Sequence, residues 1–426
     1  MAYRGNDEYE HGAYYKPEVK TSIKLTLAFA KAVGRNQEDQ SDNLVVSPYN
    51  ATAALSMVAK GAVGETRDEL AKALFATDGA GLDDAVAAYA KLNTEILKSN
   101  AGQVTLTTAN GVWTNKDLVT LRDAFAKDLK ETMGAEISAE DYANPATVQK
   151  INDWAAKNTN GLITKVLEEL NPDDAAVLAS ALHFKGEWTK KFDKALTEDK
   201  TFTQDGAAAA TTPTMHQDFA DEGGFRYQKG KDFEAITMTY GEEKHGREEW
   251  KNPTMRIVLV RPTDDNVSAR DFLSSQDAGK IPAWLDAYAF EDAIGSVELP
   301  RMDIKQKFDL IPALRELGVD KAFGGGSFEN MVEQGGEKLF VSKVSHDTVF
   351  KTDEVGSEAA AVTTAVMTLE SVRMPPVEVD VKLDRSFVFA LQDVKTNAVL
   401  FIGAVNKPND DVKPAKAPKA KAPGLK

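Results

Sequence analysis

The chain has 426 residues, 42% of them hydrophobic, which is enough for a sizeable core in one to three domains. Its formal net charge of −15 argues against a nucleic-acid partner, because binding phosphate requires a basic surface. The absence of cysteine excludes disulfides, thiolate metal sites and a cysteine nucleophile. The absence of an apolar run of about 18 residues excludes a membrane span.

The first half of the chain predicts mostly helices. Residues 1–20 are polar, lack the apolar core of a signal peptide and are expected to be flexible. Helical spacing of apolar residues predicts helices at 21–33, 51–62, 82–98, 121–133 and 145–158. A further helix opens near Thr66, a candidate cap with Glu69 three residues later. Strands are predicted at 44–46, 104–113 and 175–188.

The second half predicts mostly strands. Short strands occupy residues 202–261, and the highly charged stretch 241–252 within them is interpreted as a solvated loop. A strand at 296–301, a short helix at 310–317 and a long alternating strand at 339–350 follow. Residues 407–426 are rich in Lys, Pro and Ala, and we expect a disordered, solubilising tail. About eight helices with non-sequential strands indicate an α+β fold.

Residues 353–376 contain no aromatic side chain, and no charge lies between Glu358 and Glu370. Read as a strand, one face carries only uncharged and mostly small side chains, namely Ser357, Ala359, Ala361, Thr363, Ala365 and Met367. That face can enter a sheet without burying a charge, and Gly356 just before it lets the backbone change direction. The pattern predicts a strand, with an Ala-rich surface helix as the alternative.

Two motifs in this part of the chain resemble those of one protein family. The sequence EVGSEAAA resembles the hinge of the reactive-centre loop of an inhibitory serpin; it comprises Glu354, Val355, Gly356, Ser357, Glu358, Ala359, Ala360 and Ala361. The sequence VKLDRSFVFAL at residues 381–391 is similar to the family's C-terminal signature. The resemblance implies a single serpin domain at 21–406, with a large central mixed sheet, further sheets, eight to nine helices and an exposed reactive-centre loop at about 354–376.

The resemblance also implies roles for polar residues around the central sheet. His346 matches the strand histidine that serpins place near the start of the central helix, so we expect it to form hydrogen bonds near Ser47 and Asn50. The family usually has Ser where this chain has Asn50, and Asn where it has Ser180. We hypothesise that these two departures compensate each other. Trp188 is expected near the top of the sheet, where the reactive-centre loop of a serpin starts to insert as a new strand.

A charged pair is expected at the base of the hinge. The family pairs the acid at the position of Glu354 with a basic residue that follows Leu-Pro on a neighbouring strand, and that residue is Arg301 here. The alternative is two separate surface charges.

The function that the resemblance implies is inhibition of a serine protease by a suicide-substrate mechanism, in which the cleaved loop inserts into the main sheet. The family's spacing places the scissile bond between Glu370 and Ser371, which suits an elastase-like or glutamate-tolerant protease. The segment after Ser371 is longer than usual, so the Leu369-Glu370 bond (chymotrypsin-like) and the Arg373-Met374 bond (trypsin-like) stay open. The alternative function is a non-inhibitory serpin acting as a binding or chaperone-like protein.

The sequence offers no catalytic constellation. Ser345, His346 and Asp347 are consecutive on a predicted strand, so their side chains alternate between faces and cannot form a relay. A Gly-x-Ser-x-Gly elbow, a His-Glu-x-x-His motif and a Gly-rich phosphate loop are also missing from the sequence. We expect a monomeric non-enzyme without cofactor or metal. The resemblance implies extracellular action, whereas the lack of a signal peptide leaves a cytoplasmic location open.

Overall fold

The computed structural model describes residues 11, 15–39, 42–205, 209–220, 224–245, 250–334, 339–341, 343–357, 375–409 and 413–414. Eight α-helices lie in these ranges: α1 (Pro17–Asn36), α2 (Pro48–Gly61), α3 (Gly64–Phe75), α4 (Leu82–Asn100), α5 (Asp123–Met133), α6 (Pro145–Asn158), α7 (Ala269–Ser275) and α8 (Ile311–Glu316). The strands of the same ranges are β1 (Leu44–Val46), β2 (Thr105–Asn115), β3 (Glu136–Glu140), β4 (Ala176–Glu187), β5 (Glu198–Phe202), β6 (Ala210–Phe219), β7 (Phe225–Lys229), β8 (Phe233–Tyr240), β9 (Lys244–His245), β10 (Trp250–Lys251), β11 (Met255–Pro262), β12 (Glu291–Pro300), β13 (Met302–Asp309), β14 (Ser345–Thr352), β15 (Gly356–Ser357), β16 (Val377–Glu378), β17 (Val381–Lys382), β18 (Phe387–Asp393), β19 (Val399–Val405) and β20 (Lys413–Pro414).

Helix α1 forms because its apolar residues recur at helical spacing. Val19, Ile23 and Leu27 lie on one side of the helix and are buried in the core. The helix begins at Pro17, where the missing N–H of proline leaves no helical hydrogen bond unmade. Tyr15 before it is also buried, and its hydroxyl donates to a main-chain carbonyl in the segment before β12. The prediction of a flexible segment through residue 20 is therefore wrong from Tyr15 onwards.

The largest sheet has twelve strands in the order β1-β19-β18-β11-β8-β7-β12-β6-β20, with β16 and β17 also on β12 and β5 on β6. Its strands β18 and β19 are buried along their whole length and form part of one large hydrophobic core. Helix α2 packs between β19 of this sheet and β4 of a second sheet. The helix therefore forms the centre of the domain.

The second sheet has the order β15-β4-β2-β3, in which β2 and β3 run parallel and the other neighbours antiparallel. Strands β13 and β14 form a separate antiparallel pair. Within the described ranges, β14 pairs only with β13, so the predicted central mixed sheet is present in two parts. Helix α6 covers the four-stranded part, with the rings of Trp154 and Trp113 edge to face and 4.9 Å apart. The predicted α+β fold class is confirmed.

Three other stretches differ from the sequence-based prediction. The charged stretch 241–252, predicted as a loop, contains the short antiparallel pair of β9 and β10. The strand predicted from residue 339 begins at Ser345, since the main chain at 341 and 344 bonds to other segments instead of a strand. Thr66 does not cap α3. Its hydroxyl accepts from Ser327 N, and the Glu69 carboxylate accepts from the amides of Asp320 and Lys321.

The C-terminal segment packs against the domain further than predicted. Lys407 Nζ lies 2.6 Å from a carboxylate oxygen of Asp42, and β20 pairs antiparallel with the start of β6. The predicted tail from residue 407 is therefore wrong for 407–409 and 413–414, while 410–412 and 415–426 lie outside the described residues. None of the described helices combines the length and apolar composition needed to cross a membrane.

Candidate functional site at the loop hinge

The chain reverses direction between β14 and β15. Asp353 N donates to Gly356 O at 2.7 Å, and the Asp353 carboxylate accepts from the amides of Val355 and Gly356 at 2.9 and 3.2 Å. Gly356 and Ser357 then pair antiparallel with Glu187 and Gly186 at the end of β4. The first two residues after the turn therefore already lie as a strand beside β4.

Gly356 is required at the turn by both its backbone and its neighbours. Its φ of +155° belongs to a region that is essentially restricted to glycine. A Cβ at this position would lie 2.1 Å from Gly186 O and 2.7 Å from Glu187 Cα, which are backbone atoms that cannot rotate away. A side chain at residue 356 is thus incompatible with the pairing of β15 and β4.

Ser357 is 2% exposed, and its hydroxyl lies 3.2 Å from Tyr240 Oη. The Tyr240 ring stacks on Trp188 at 4.3 Å, and burial raises the pKa of Tyr240 well above its usual value, so the phenol stays protonated. Trp188 bonds to the turn through both of its N–H groups, at 2.8 Å from Asp353 O and from Val355 O. Trp188 lies beside the hinge, at the C-terminal end of β4.

Glu354 is held by an ion pair and is only 5% exposed. Arg301 Nε and Nη2 donate to its Oε1 at 2.9 and 2.6 Å, and Thr197 Oγ1 donates to the same oxygen. Burial raises the pKa of the Glu354 carboxyl, but these hydrogen bonds lower it more, so its pKa lies below the usual value. We call Glu354, Arg301 and Thr197 the hinge latch. The alternative of two separate surface charges is wrong.

His346 occupies the centre of the sheet, on the buried side of β14. Its Nε2 accepts from Ser47 N at 2.9 Å, so its other ring nitrogen carries the proton. Burial lowers the pKa of His346 to about 4, and the side chain is therefore neutral at neutral pH. Ser345 Oγ donates to Asp347 at 2.9 Å on the opposite face, so these three residues form no relay.

Asn50 and Ser180 bond directly to each other across the gap between α2 and β4. Asn50 Nδ2 donates to Ser180 O at 2.8 Å, and Ser180 Oγ donates to Asn50 Oδ1 at 2.6 Å. Ser47, whose hydroxyl accepts from Asn50 N at 3.1 Å, joins this group to His346. The hypothesis that the two departures from the family pattern compensate each other is consistent with this direct pair.

A cavity of about 110 Å³ lies between the two parts of the central sheet. Its walls come from β4 at residues 176–181, from the start of β14 and from the chain after α6, including Val166 and Leu170. The cavity marks a place, at the end of β4 remote from the hinge, where the two parts do not close on each other.

Several predicted site residues lie outside the described residues: Glu358, Ala359, Ala360, Ala361, Glu370 and Ser371. The structure adds three that the sequence-based prediction missed, namely Thr197, Tyr240 and Asp353. The Asp-x-x-Gly spacing of Asp353 is a turn signal that sequence reasoning can detect. Thr197 and Tyr240 carry no local signal, because they reach the hinge from distant parts of the chain, Thr197 from just before β5 and Tyr240 from the end of β8.

The fold and the hinge together define a class of protein in which a segment of the chain starts to pair with the free edge of its own central sheet. The chain belongs to the serpin family: the model of that family, described as "Serpin (serine protease inhibitor)", matches residues 21–408. Serpins are in general protease inhibitors rather than catalytic enzymes, and loop insertion is a general feature of the family.

Relatives match over nearly their whole length. Serpin-ZXA of Oryza sativa subsp. japonica is 31% identical over 401 residues, which are 91% of this chain and 96% of that protein. Leukocyte elastase inhibitor of Equus caballus is 28% identical over 378 residues, 88% of this chain and 95% of that protein. The structure of Arabidopsis AtSerpin1 in its native stressed conformation superposes with a TM-score of 0.75 at 26% identity, covering 92% of this chain and 98% of that one.

Proposed function

We propose that this protein inhibits a serine protease as a suicide substrate, with residues 354–376 as the reactive-centre loop. The observation that carries the proposal is the antiparallel pairing of Gly356 and Ser357 with β4, with Ser357 facing the core. Side chains alternate along a strand, so every second residue after Ser357 would face the core if the strand lengthened. Those residues are the small, uncharged ones, from Ala359 to Met367.

Continuing the register gives the insertion a defined length. Ala361 would lie opposite Leu182, and Met367 opposite Ala176, where β4 begins. Strand β4 has 12 residues, so at about 3.4 Å per residue the inserted strand would extend roughly 40 Å. A protease bound covalently to the end of that strand would be carried from one end of the domain to the other.

The covalent step takes place between the protease and the loop. The protease's serine attacks the Glu370 carbonyl, the bond to Ser371 breaks, and Ser371 leaves with a new amino group while Glu370 stays bound as an ester. Displacing this ester removes it from the oxyanion hole that hydrolysis requires. This protein supplies no catalytic group of its own in that scheme, so it is a substrate and not an enzyme.

The target we propose is an elastase-like or glutamate-tolerant serine protease, because Glu370 would occupy its specificity pocket. The similarity to a leukocyte elastase inhibitor supports this class. A chymotrypsin-like protease is the target if cleavage follows Leu369, and a trypsin-like one if it follows Arg373.

The first test mixes the protein with elastase-like, glutamate-specific, chymotrypsin-like and trypsin-like proteases. Denaturing gels detect a covalent complex, and mass spectrometry of the released fragment locates the cleaved bond. A complex with a fragment starting at Ser371 supports the proposal. A complex with a fragment starting at Glu370 or Met374 supports the same mechanism with a different scissile bond. Cleavage by every protease without a complex refutes inhibition and favours the non-inhibitory, ligand-binding alternative.

A matched pair of variants tests the direction in which the loop inserts. Ala361→Arg places a charge on the face that would be buried, so the variant should be cleaved as an ordinary substrate with little complex. Ala360→Arg carries the same charge on the opposite face and should still form the complex. Equal yields from the two variants would contradict insertion in the register that Ser357 indicates.

A further inference from the structure

We propose that the C-terminal segment of this chain is a regulatory strap that keeps the hinge latch closed. The strap consists of residues 406–409 and 413–414, which follow β19 and run beside β6 and β13. The contacts of the strap stand independently of the proposed function. Their consequence, a slower insertion of the uncleaved loop, rests on it.

The strap is anchored on both sides of Asn409 in the chain. The Asn43 side chain accepts from the amides of Asn406 and Lys407 at 2.8 Å and donates to Lys407 O at 2.7 Å. Further along, Lys413 and Pro414 pair with Thr211 and Ala210 of β6. The described residues between these two anchors, 408 and 409, lie beside the start of β13.

Between its anchors the strap binds the connection that carries Arg301. Arg301 is the single residue between β12 and β13, and its N–H donates to Pro213 O at 2.9 Å. Asn409 Nδ2 donates to Arg301 O at 3.1 Å and to Thr212 Oγ1 at 3.0 Å. The peptide groups on both sides of Arg301 are thus bonded, one to β6 and the other to the strap.

The turn that carries Glu354 joins two parts of the sheet. Its main-chain carbonyls accept from Trp188 N and Phe192 N, in the chain that directly follows β4. The Glu354 side chain accepts from Arg301, the residue before β13, and from Thr197, the residue before β5. The turn therefore bridges the chain after β4 and the start of β13. A strap that fixes the backbone of Arg301 fixes one end of this bridge.

Asn409 acts here as a positioning residue, since it contacts the main chain of Arg301 and not the carboxylate. Of the two hydrogen bonds that Asn409 Nδ2 donates, the one to Arg301 O supports the latch, and losing its net contribution should let the turn at residues 353–355 open about fivefold more often. The readout is hydrogen exchange of the Trp188 and Phe192 amides, which donate to Val355 O and Glu354 O in the closed turn. This readout does not depend on inhibition.

The test uses the full-length chain with matched variants. Asn409→Ala should increase exchange at both amides about fivefold, whereas Asn409→Gln, which retains an amide donor, should increase it less. Lys407→Ala is the control, because it removes a strap contact to Asp42 that does not reach Arg301. Asn409→Ala should have no added effect when Arg301 is replaced by Met, since the bridge is then already lost.

The outcomes separate the strap from the inhibitory function. Equal effects of Asn409→Ala and Lys407→Ala, or an effect that persists in the Arg301→Met background, would show that the segment only covers the edge of β6 and would overturn the proposal. If the wild-type protein traps no protease, the proposed function fails, and hydrogen exchange alone tests whether the strap keeps the hinge latch closed. If it does trap protease, Asn409→Ala should also shorten the half-life of inhibitory activity about fivefold at a temperature below unfolding.

Discussion

Under the proposed insertion mechanism, replacing Gly356 by Ala should convert the protein from an inhibitor towards a substrate. The backbone at φ +155° costs a residue with a Cβ about 1–3 kcal/mol, and the Cβ would also lie 2.1 Å from Gly186 O. Before insertion the hinge can relieve this strain by withdrawing from β4. During insertion it cannot, because the strand grows from this pair. The substitution therefore raises the free energy of the transition state for insertion more than it raises the free energy of the resting state.

A barrier higher by about 2 kcal/mol slows insertion roughly thirtyfold, while hydrolysis of the acyl-enzyme keeps its rate. Because the two steps compete, the number of inhibitor molecules consumed per protease inactivated should rise several-fold. Titration of protease activity measures that number, and denaturing gels measure the yield of complex. Gly318→Ala is the matched control, since Gly318 has φ +91° with open space around a Cβ and lies away from the hinge. A folded Gly356→Ala protein with the wild-type complex yield would refute the reasoning.

Two further predictions concern the centre of the sheet. Asn50→Ser and Ser180→Asn should each lower the free energy of unfolding by about 1–3 kcal/mol, because each leaves a polar partner unpaired. The double variant should recover most of this loss. Urea unfolding measures the three free energies, and additive losses would contradict direct compensation. Burial lowers the pKa of His346 from 6.5 to about 4, so the unfolded chain binds a proton between these pH values that the folded chain does not. The stability from this group should be fully present above pH 6.5 and fall by about 3 kcal/mol as the pH drops to 4, and His346→Gln should remove this part of the pH dependence in urea unfolding.

The hinge and the sheet centre could be predicted from the sequence because their key residues stand in short, recognisable motifs. Glu354 and Gly356 lie two residues apart in one motif, and Arg301 follows a Leu-Pro pair. The same resemblance relates His346 to Ser47, which are nearly 300 residues apart in the chain. Local periodicity predicted most of the helices, because their buried residues recur at helical spacing, as in α1.

Other parts of the site could not be predicted, because their roles depend on long-range contacts. The Lys, Pro and Ala content of the C-terminal segment is typical of a disordered tail, yet Asn409 bonds to Thr212 and to Arg301. A long-range contact of this kind leaves no periodic pattern in the sequence around Asn409. Thr197 reaches the hinge latch for the same reason, from a segment whose own sequence contains no sign of the hinge.

Under the proposed insertion mechanism, the hinge latch explains how the resting state persists although the inserted arrangement is more stable. Two residues of β4 are paired with β15, which leaves ten to be paired if the loop inserts. At about 0.5–1.5 kcal/mol net per hydrogen bond, those residues offer roughly 5–15 kcal/mol, which is more than the few bonds of the latch can balance. The latch must therefore act on the rate, because it has to break before any of that gain is realised. Substitutions in the latch should change how long the resting state lasts and leave the stability of the inserted form almost unchanged.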